Sequence, residues 1–125
     1  MADHPVSFDH MIAAWNEHDL DRIRGHLDLA LNPGVEFCDP QNHTRGIDEF
    51  EAMVREFRTS IPEAVCAIAS GIDAHHHLHR YDWTVSVGDE VLVPGFDVVA
   101  VDGDGKVLRV DGFFGPVPPA EPVST

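Results

Sequence analysis

The chain has 125 residues, enough for one domain around one sizeable core, and 43% of them are apolar, which excludes wholesale disorder. Acidic residues outnumber basic ones 22 to 8, so the surface repels nucleic-acid phosphates and anionic membranes and serves solubility. Two cysteines, Cys38 and Cys66, form neither a disulfide framework nor a zinc pattern. The opening MADHPVSFDH has no charged or apolar region of a signal peptide, and no apolar run approaches the roughly 20 residues of a membrane helix. A cytoplasmic, thiol-reducing setting is expected.

Ser7 is the expected cap of a first helix, with Asp9 in its first turn and Phe8, Met11, Ile12 and Trp15 on one face. Asp19 is a second cap, ahead of Leu20, Ile23 and Leu27. Asn32-Pro33-Gly34 predicts a turn, and Val35 to Cys38 a short strand. After Gly46, the spacing of Ile47, Phe50, Met53, Val54 and Phe57 predicts a third helix, stopped at Ser60-Ile61-Pro62. The period then becomes two, which predicts strands over 63–72, 77–87, 91–101 and 106–114. VSVGDEVLV and VDGDGKV mark hairpins, because Gly and Asp supply the positive φ of tight turns. Residues 1–115 read as a single α+β domain, with helices on one face of an antiparallel meander. Residues 116–125 form a Pro-rich, loose tail.

Four features offer chemistry, each beside a plainer reading. Asp39-Pro40 ends the first strand as an Asx turn, or as a carboxylate at a cavity mouth whose basicity is raised by apolar neighbours such as Phe37. Asp97 interrupts the apolar run VPGFDVVAV, so it is paired with an arginine, placed at an exposed edge, or functional. In HRYDWTV, Arg80, Asp82 and Thr84 share one strand face, and His79, Tyr81, Trp83 and Val85 the other. Arg80 and Asp82 are then a solvated ion pair, or an acid with an orienting guanidinium. In HHHLH, alternate histidines His75, His77 and His79 would share a face able to hold zinc or nickel, but no further ligand completes a set. DGDGK lacks the acids a calcium loop needs, so it reads as a hairpin. No phosphate loop or nucleophile elbow is present, and the reading calls for no metal and no cofactor.

The segments WNEHDLDRI, VEFCDP with RGIDEF, and GFDVVAVDGDGKVLRVDGFFGP are similar to the nuclear transport factor 2-like superfamily. Within it the chain resembles SnoaL-like and ketosteroid-isomerase-like proteins. The resemblance implies a cone-shaped α+β fold, with N-terminal helices packed in a strongly curved antiparallel sheet around an internal pocket. It implies a small apolar ligand and a homodimer formed through the outer sheet face. Asp39 falls on the general-base position of ketosteroid isomerases, and Asp97 on the protonated aspartate that stabilises the enolate. Met11 stands where those enzymes carry a helix tyrosine, and Tyr81, on a strand, is expected on the wrong face to replace it. SnoaL-type cyclases use an acidic base on the late strands, a place open to Asp97 or Asp111. Limonene-epoxide-hydrolase-like proteins use an Arg-x-Asp and a later Asp, matched by Arg80, Asp82 and Asp111. Trp15, Met53, Phe57, Val110 and Phe114, together with Met11 and Phe37, are the expected pocket lining. A non-catalytic ligand-binding or dimerisation module is the remaining alternative, since the fold hosts many functions.

Overall fold

Helix α1 (Val6–Trp15) turns Phe8, Met11 and Ala14 inward at helical spacing. Its N-cap is Pro5, and Ser7 does not cap it: the Ser7 hydroxyl donates to the Gly105 carbonyl at 2.5 Å. The expected cap is thus a tie between α1 and a distant hairpin. Asp19 does cap, its side chain accepting from the Asp21 amide at the head of a 3₁₀ turn, Leu20–Arg22. Helix α2 (Ile23–Ala30) buries Ile23, Leu27 and Ala30. Helix α3 (Gly46–Ser60) buries Phe50, Met53 and Val54, and begins at a glycine with φ of +81°. These descriptions come from a computed structural model that describes residues 4–123. The first three residues of MADHPVSFDH and the last two of the tail lie outside the described residues.

The strands are β1 (Leu31–Cys38), β2 (His43–Arg45), β3 (Val65–Ile68), β4 (Asp73–His75), β5 (Leu78–Val87), β6 (Glu90–Val101) and β7 (Val107–Phe114). They form one sheet in the order β2-β1-β7-β6-β5-β3, with β4 pairing the early half of β5. All pairs are antiparallel except β1 with β7. The molecule is the expected α+β cone, with three helices held in a curved sheet.

Two local expectations need correction. Asn32-Pro33-Gly34 does not end an element but lies inside β1, where Leu31 pairs with Val107 and Glu36 with Arg109. The turn chemistry is present, since the Asn32 side chain accepts from the Gly34 amide at 2.8 Å. It is absorbed as a bulge, and the Asn32 amide group anchors it to Asp102 at 2.7 Å. The expected strand over 63–72 is only Val65–Ile68, and the chain then turns into the short β4.

That turn also disperses the histidines. His76 sits at φ of +52°, His75 and His76 are exposed, and His79 is buried edge-on to Phe8 at 5.0 Å. His75 and His79 lie on different strands, so the alternate histidines share no face. Among the described residues no group of three or more His, Cys, Asp or Glu side chains converges to hold a metal ion. None of the described helices is long and apolar enough to cross a membrane.

Two polar side chains, one of them buried, tie the helices to the segment that leads into β3. Asn16, just past α1, both donates to and accepts from the Cys66 backbone at 2.8 Å. Arg58 is 3% exposed and donates to the carbonyls of Trp15, Ala64 and Pro62. The burial of this cation is offset by carbonyl dipoles rather than by a carboxylate.

Candidate active site

A pocket of about 360 Å³ opens between α1, α3 and the concave face of the sheet. All seven residues expected to line it stand on its wall: Met11, Trp15, Phe37, Met53, Phe57, Val110 and Phe114. Trp15 is the hub of the aromatic side, with ring centres of Phe57 at 5.3 Å and Phe37 at 6.1 Å. One wall of this apolar space is polar.

That wall is a single row across the sheet. Cys38 pairs with Asp111, which puts Asp39 beside Gly112; Gly112 pairs with Asp97, and Asp97 with Tyr81. The pleat turns Asp39, Asp97 and Tyr81 into the pocket together. Tyr81 is therefore on the inner face, against the expectation that it would be misplaced. The solvated partners of its strand, Arg80 and Asp82, take the outer face and force the alternation.

Among the described residues no cation stands beside Asp97. Its Oδ1 accepts from the Trp83 indole N–H at 2.8 Å, and its Oδ2 from the Tyr81 hydroxyl at 3.3 Å. Loss of hydration pushes its pKa up to about 7, against the two hydrogen bonds, and the charges of Asp39 and Asp111 push the same way. Burial, and then the neighbouring Asp97 charge, hold the Tyr81 hydroxyl well above its ordinary value.

Asp39 combines both of its readings. Its Oδ1 accepts from the backbone amides of Gln41 and Asn42 at 2.8 Å, and from the Asn42 side chain at 3.1 Å. That is an Asx turn, and Pro40 fixes its entry. The same carboxylate lines the pocket, where Oδ2 has only the Asn42 amide group at 3.4 Å. One oxygen holds the loop, and the other has a single long contact.

Arg80, Asp82 and Asp111 are not part of this pocket. Arg80 is exposed and bound to Asp73 at 2.8 Å, and Asp82 is exposed on the same convex face. Asp111 takes both oxygens to Arg109, at 2.8 and 3.0 Å, on that face too. Because β-strand side chains alternate, these three cannot reach the concave side without a one-residue slip. The epoxide-hydrolase arrangement is therefore not assembled. Cys66 lines the pocket, but burial pushes its thiol up to about 11, so it remains protonated and inert.

Sequence reasoning passed over four contributors. Trp83 holds Asp97, Asn42 holds Asp39, and Gly95 and Gly112 leave the room they occupy. The signal for Trp83 was available: an aspartate in an apolar strand needs a donor, and Trp83 shares the apolar face of HRYDWTV. Nothing in the sequence marked the glycines, because their meaning depends on strand register.

The fold recurs in solved structures. A protein of Agrobacterium tumefaciens, named as a provisional isomerase of the SnoaL-like family, shares 27% identity with a TM-score of 0.82, over 89% of this chain and 96% of that one. An NTF2-like protein of unknown function from Exiguobacterium shares 17% identity with a TM-score of 0.72, over 89% and 99% of the two chains. A SnoaL-like polyketide cyclase of Jannaschia, also assigned provisionally, shares 12% with a TM-score of 0.68, over 91% and 89%. No curated protein matches the chain. The SnoaL-like domain model matches residues 8–110, most of the sequence. By that match, which covers more than half of its length, the chain belongs to the SnoaL-like family.

Proposed function

We propose that the protein is an enzyme that moves a proton beside the carbonyl group of a small apolar substrate, chemistry of isomerase or cyclase type. The observation that carries this reading is the row Asp39–Gly112–Asp97. It sets two carboxyl groups in one apolar pocket, in unlike environments, with no side chain between them. With its pKa pushed up to about 7, Asp97 is largely a neutral acid below neutrality. Its indole partner holds Oδ1 at 2.8 Å, and the longer Tyr81 contact at 3.3 Å leaves Oδ2 the better place for the proton, from which it can be donated to a carbonyl oxygen as negative charge develops. Tyr81 stands beside that oxygen as a second donor, from a strand rather than a helix. The less engaged Oδ2 of Asp39 takes the proton from carbon and returns it to another carbon, or the carbanion adds to a second carbonyl carbon of the substrate, closing a ring, and the resulting alkoxide takes the proton back. The naming of the Agrobacterium relative as an isomerase accords with this chemistry.

The test is deuterium incorporation into a panel of small cyclic ketones, followed by NMR in heavy water. The wild type should catalyse exchange, and Asp39→Asn and Asp97→Asn should lose most of it. Tight binding of a ketone by all three proteins, with exchange by none, would replace the enzyme with a ligand carrier.

We also propose that the protein pairs with a second copy through the convex face. Phe96 and Phe113 stack there at 5.0 Å, and Phe113 is 52% exposed. Phe113→Glu should convert a dimer to a monomer in light scattering.

A further inference from the structure

We propose that Trp83 is a positioning residue for Asp97, and that bare backbone at Gly95 and Gly112 is what lets it act. The inference rests on the reading of Asp97 as the acid of the site. Trp83 lies directly across the sheet from Gly95, and Asp97 is the next inward residue along β6. A methyl group on Gly95 would collide with Trp83 Cζ2 and with the Phe113 carbonyl oxygen. The indole therefore fills the space that any other residue at this position would claim. From there its N–H reaches Asp97 Oδ1 at 2.8 Å. Phe114, across β7 from Gly95, meets the indole edge-on at 5.9 Å and closes its other side.

Gly112 does for the carboxyl group what Gly95 does for the ring. A Cβ there would lie 2.9 Å from Asp97 Oδ1 and 3.4 Å from Asp39 Cβ, inside the gap between the two acids. Trp83 thus holds Oδ1 of Asp97 by the shorter of its two side-chain hydrogen bonds, while Gly112 keeps the space between the acids open for a substrate. The titratable groups around Asp97 are Tyr81 from β5, Asp39 at the end of β1, Cys66 from β3 and Glu56 from α3 in the same pocket lining and, through the sheet, Asp111 from β7. None is a cation, so the indole is the strongest aid to the charged form of Asp97 among its neighbours.

The test is a pH titration by NMR that follows the Asp97 carboxyl carbon and the indole N–H signals. The chain has two tryptophans, so the indole signals are resolved by one substitution. The Trp83 signal should move with the Asp97 midpoint, and the Trp15 signal should not. Trp83→Phe keeps a ring over Gly95 but removes the donor. It should lower the Asp97 ionisation constant about tenfold, the size of one hydrogen bond to a charged group. Gly95→Ala, which displaces the indole, should move the midpoint in the same direction. An unchanged midpoint in Trp83→Phe, with ketone exchange intact, overturns the positioning role and leaves the acid–base reading standing. A midpoint that follows Trp83→Phe in a protein that exchanges no ketone supports the positioning role and removes that reading.

Discussion

Asp97 and Asp111 lie on adjacent strands, one residue apart in register, yet they are chemically unlike. Asp111 faces outward and takes both oxygens to Arg109, which also reaches Glu36 at 3.0 Å. Asp97 faces inward, meets an indole, a phenol and apolar side chains, and is pushed up to about 7. The pleat of a single sheet has sorted the carboxylates, leaving solvated charge on the convex side and a poised acid on the concave side. Composition alone would have treated them alike.

The difference can be broken at its strongest point first. Asp39→Asn and Asp97→Asn should each cost roughly 10²–10⁴-fold in ketone exchange, the range of general acid–base catalysis, while Asp111→Asn should leave exchange near wild type. Exchange rate by NMR is the readout, and equal losses in all three would erase the comparison. The rate should also fall as pH rises through about 7, where Asp97 gives up its proton.

Stability sharpens the contrast. Because its folded pKa lies above the ordinary carboxylate range, Asp97 holds a proton that the unfolded chain has already released. Its contribution is therefore most favourable at low pH and is lost as pH rises to about 7. Relative to wild type, Asp97→Asn should gain stability between pH 4 and pH 8, by up to about 4 kcal/mol in denaturant titrations. A flat difference would place Asp97 in water.

Gly112→Val should force atoms into the gap between Asp39 and Asp97 and cost about 1–3 kcal/mol of overpacking, read as a drop in Tm. On the convex side, Asp111→Asn or Arg80→Ala should change stability by about 0.2–1 kcal/mol, as exposed ion pairs do.

How much of this was legible in the sequence follows the same division. The helices were legible because burial leaves a period: Met11 and Trp15, or Phe50, Met53 and Phe57, sit on one face of a helix, and the resemblance to a cone-shaped family is what marked such residues as pocket lining. The alternation in β5 was legible too, but alternation does not say which set faces the pocket. The charged pair, Arg80 and Asp82, was the better guide to the outer face than any family likeness. The places of Asp39 and Asp97 at opposite ends of one row were not legible from spacing, because β7 lies between them and its register is set by distant pairing. Ser7 misled for a related reason: the hydroxyl that looked like a local cap is used over a separation of 98 residues.

The order of strands has a consequence for how the protein comes into being. β7 is the last of the described strands, but it sits between β1 and β6 in the sheet. A nascent chain that has not yet reached Val107 carries both Asp39 and Asp97, yet has no template to set them side by side. Its β1 pairs only with the three-residue β2, and its β6 leaves an open edge. Such non-local closure is slow, because loop entropy is lost before the contacts form. The row of Asp39 and Asp97 therefore forms only once β7 has been made, and a chain that still lacks β7 is the species most exposed to misassociation.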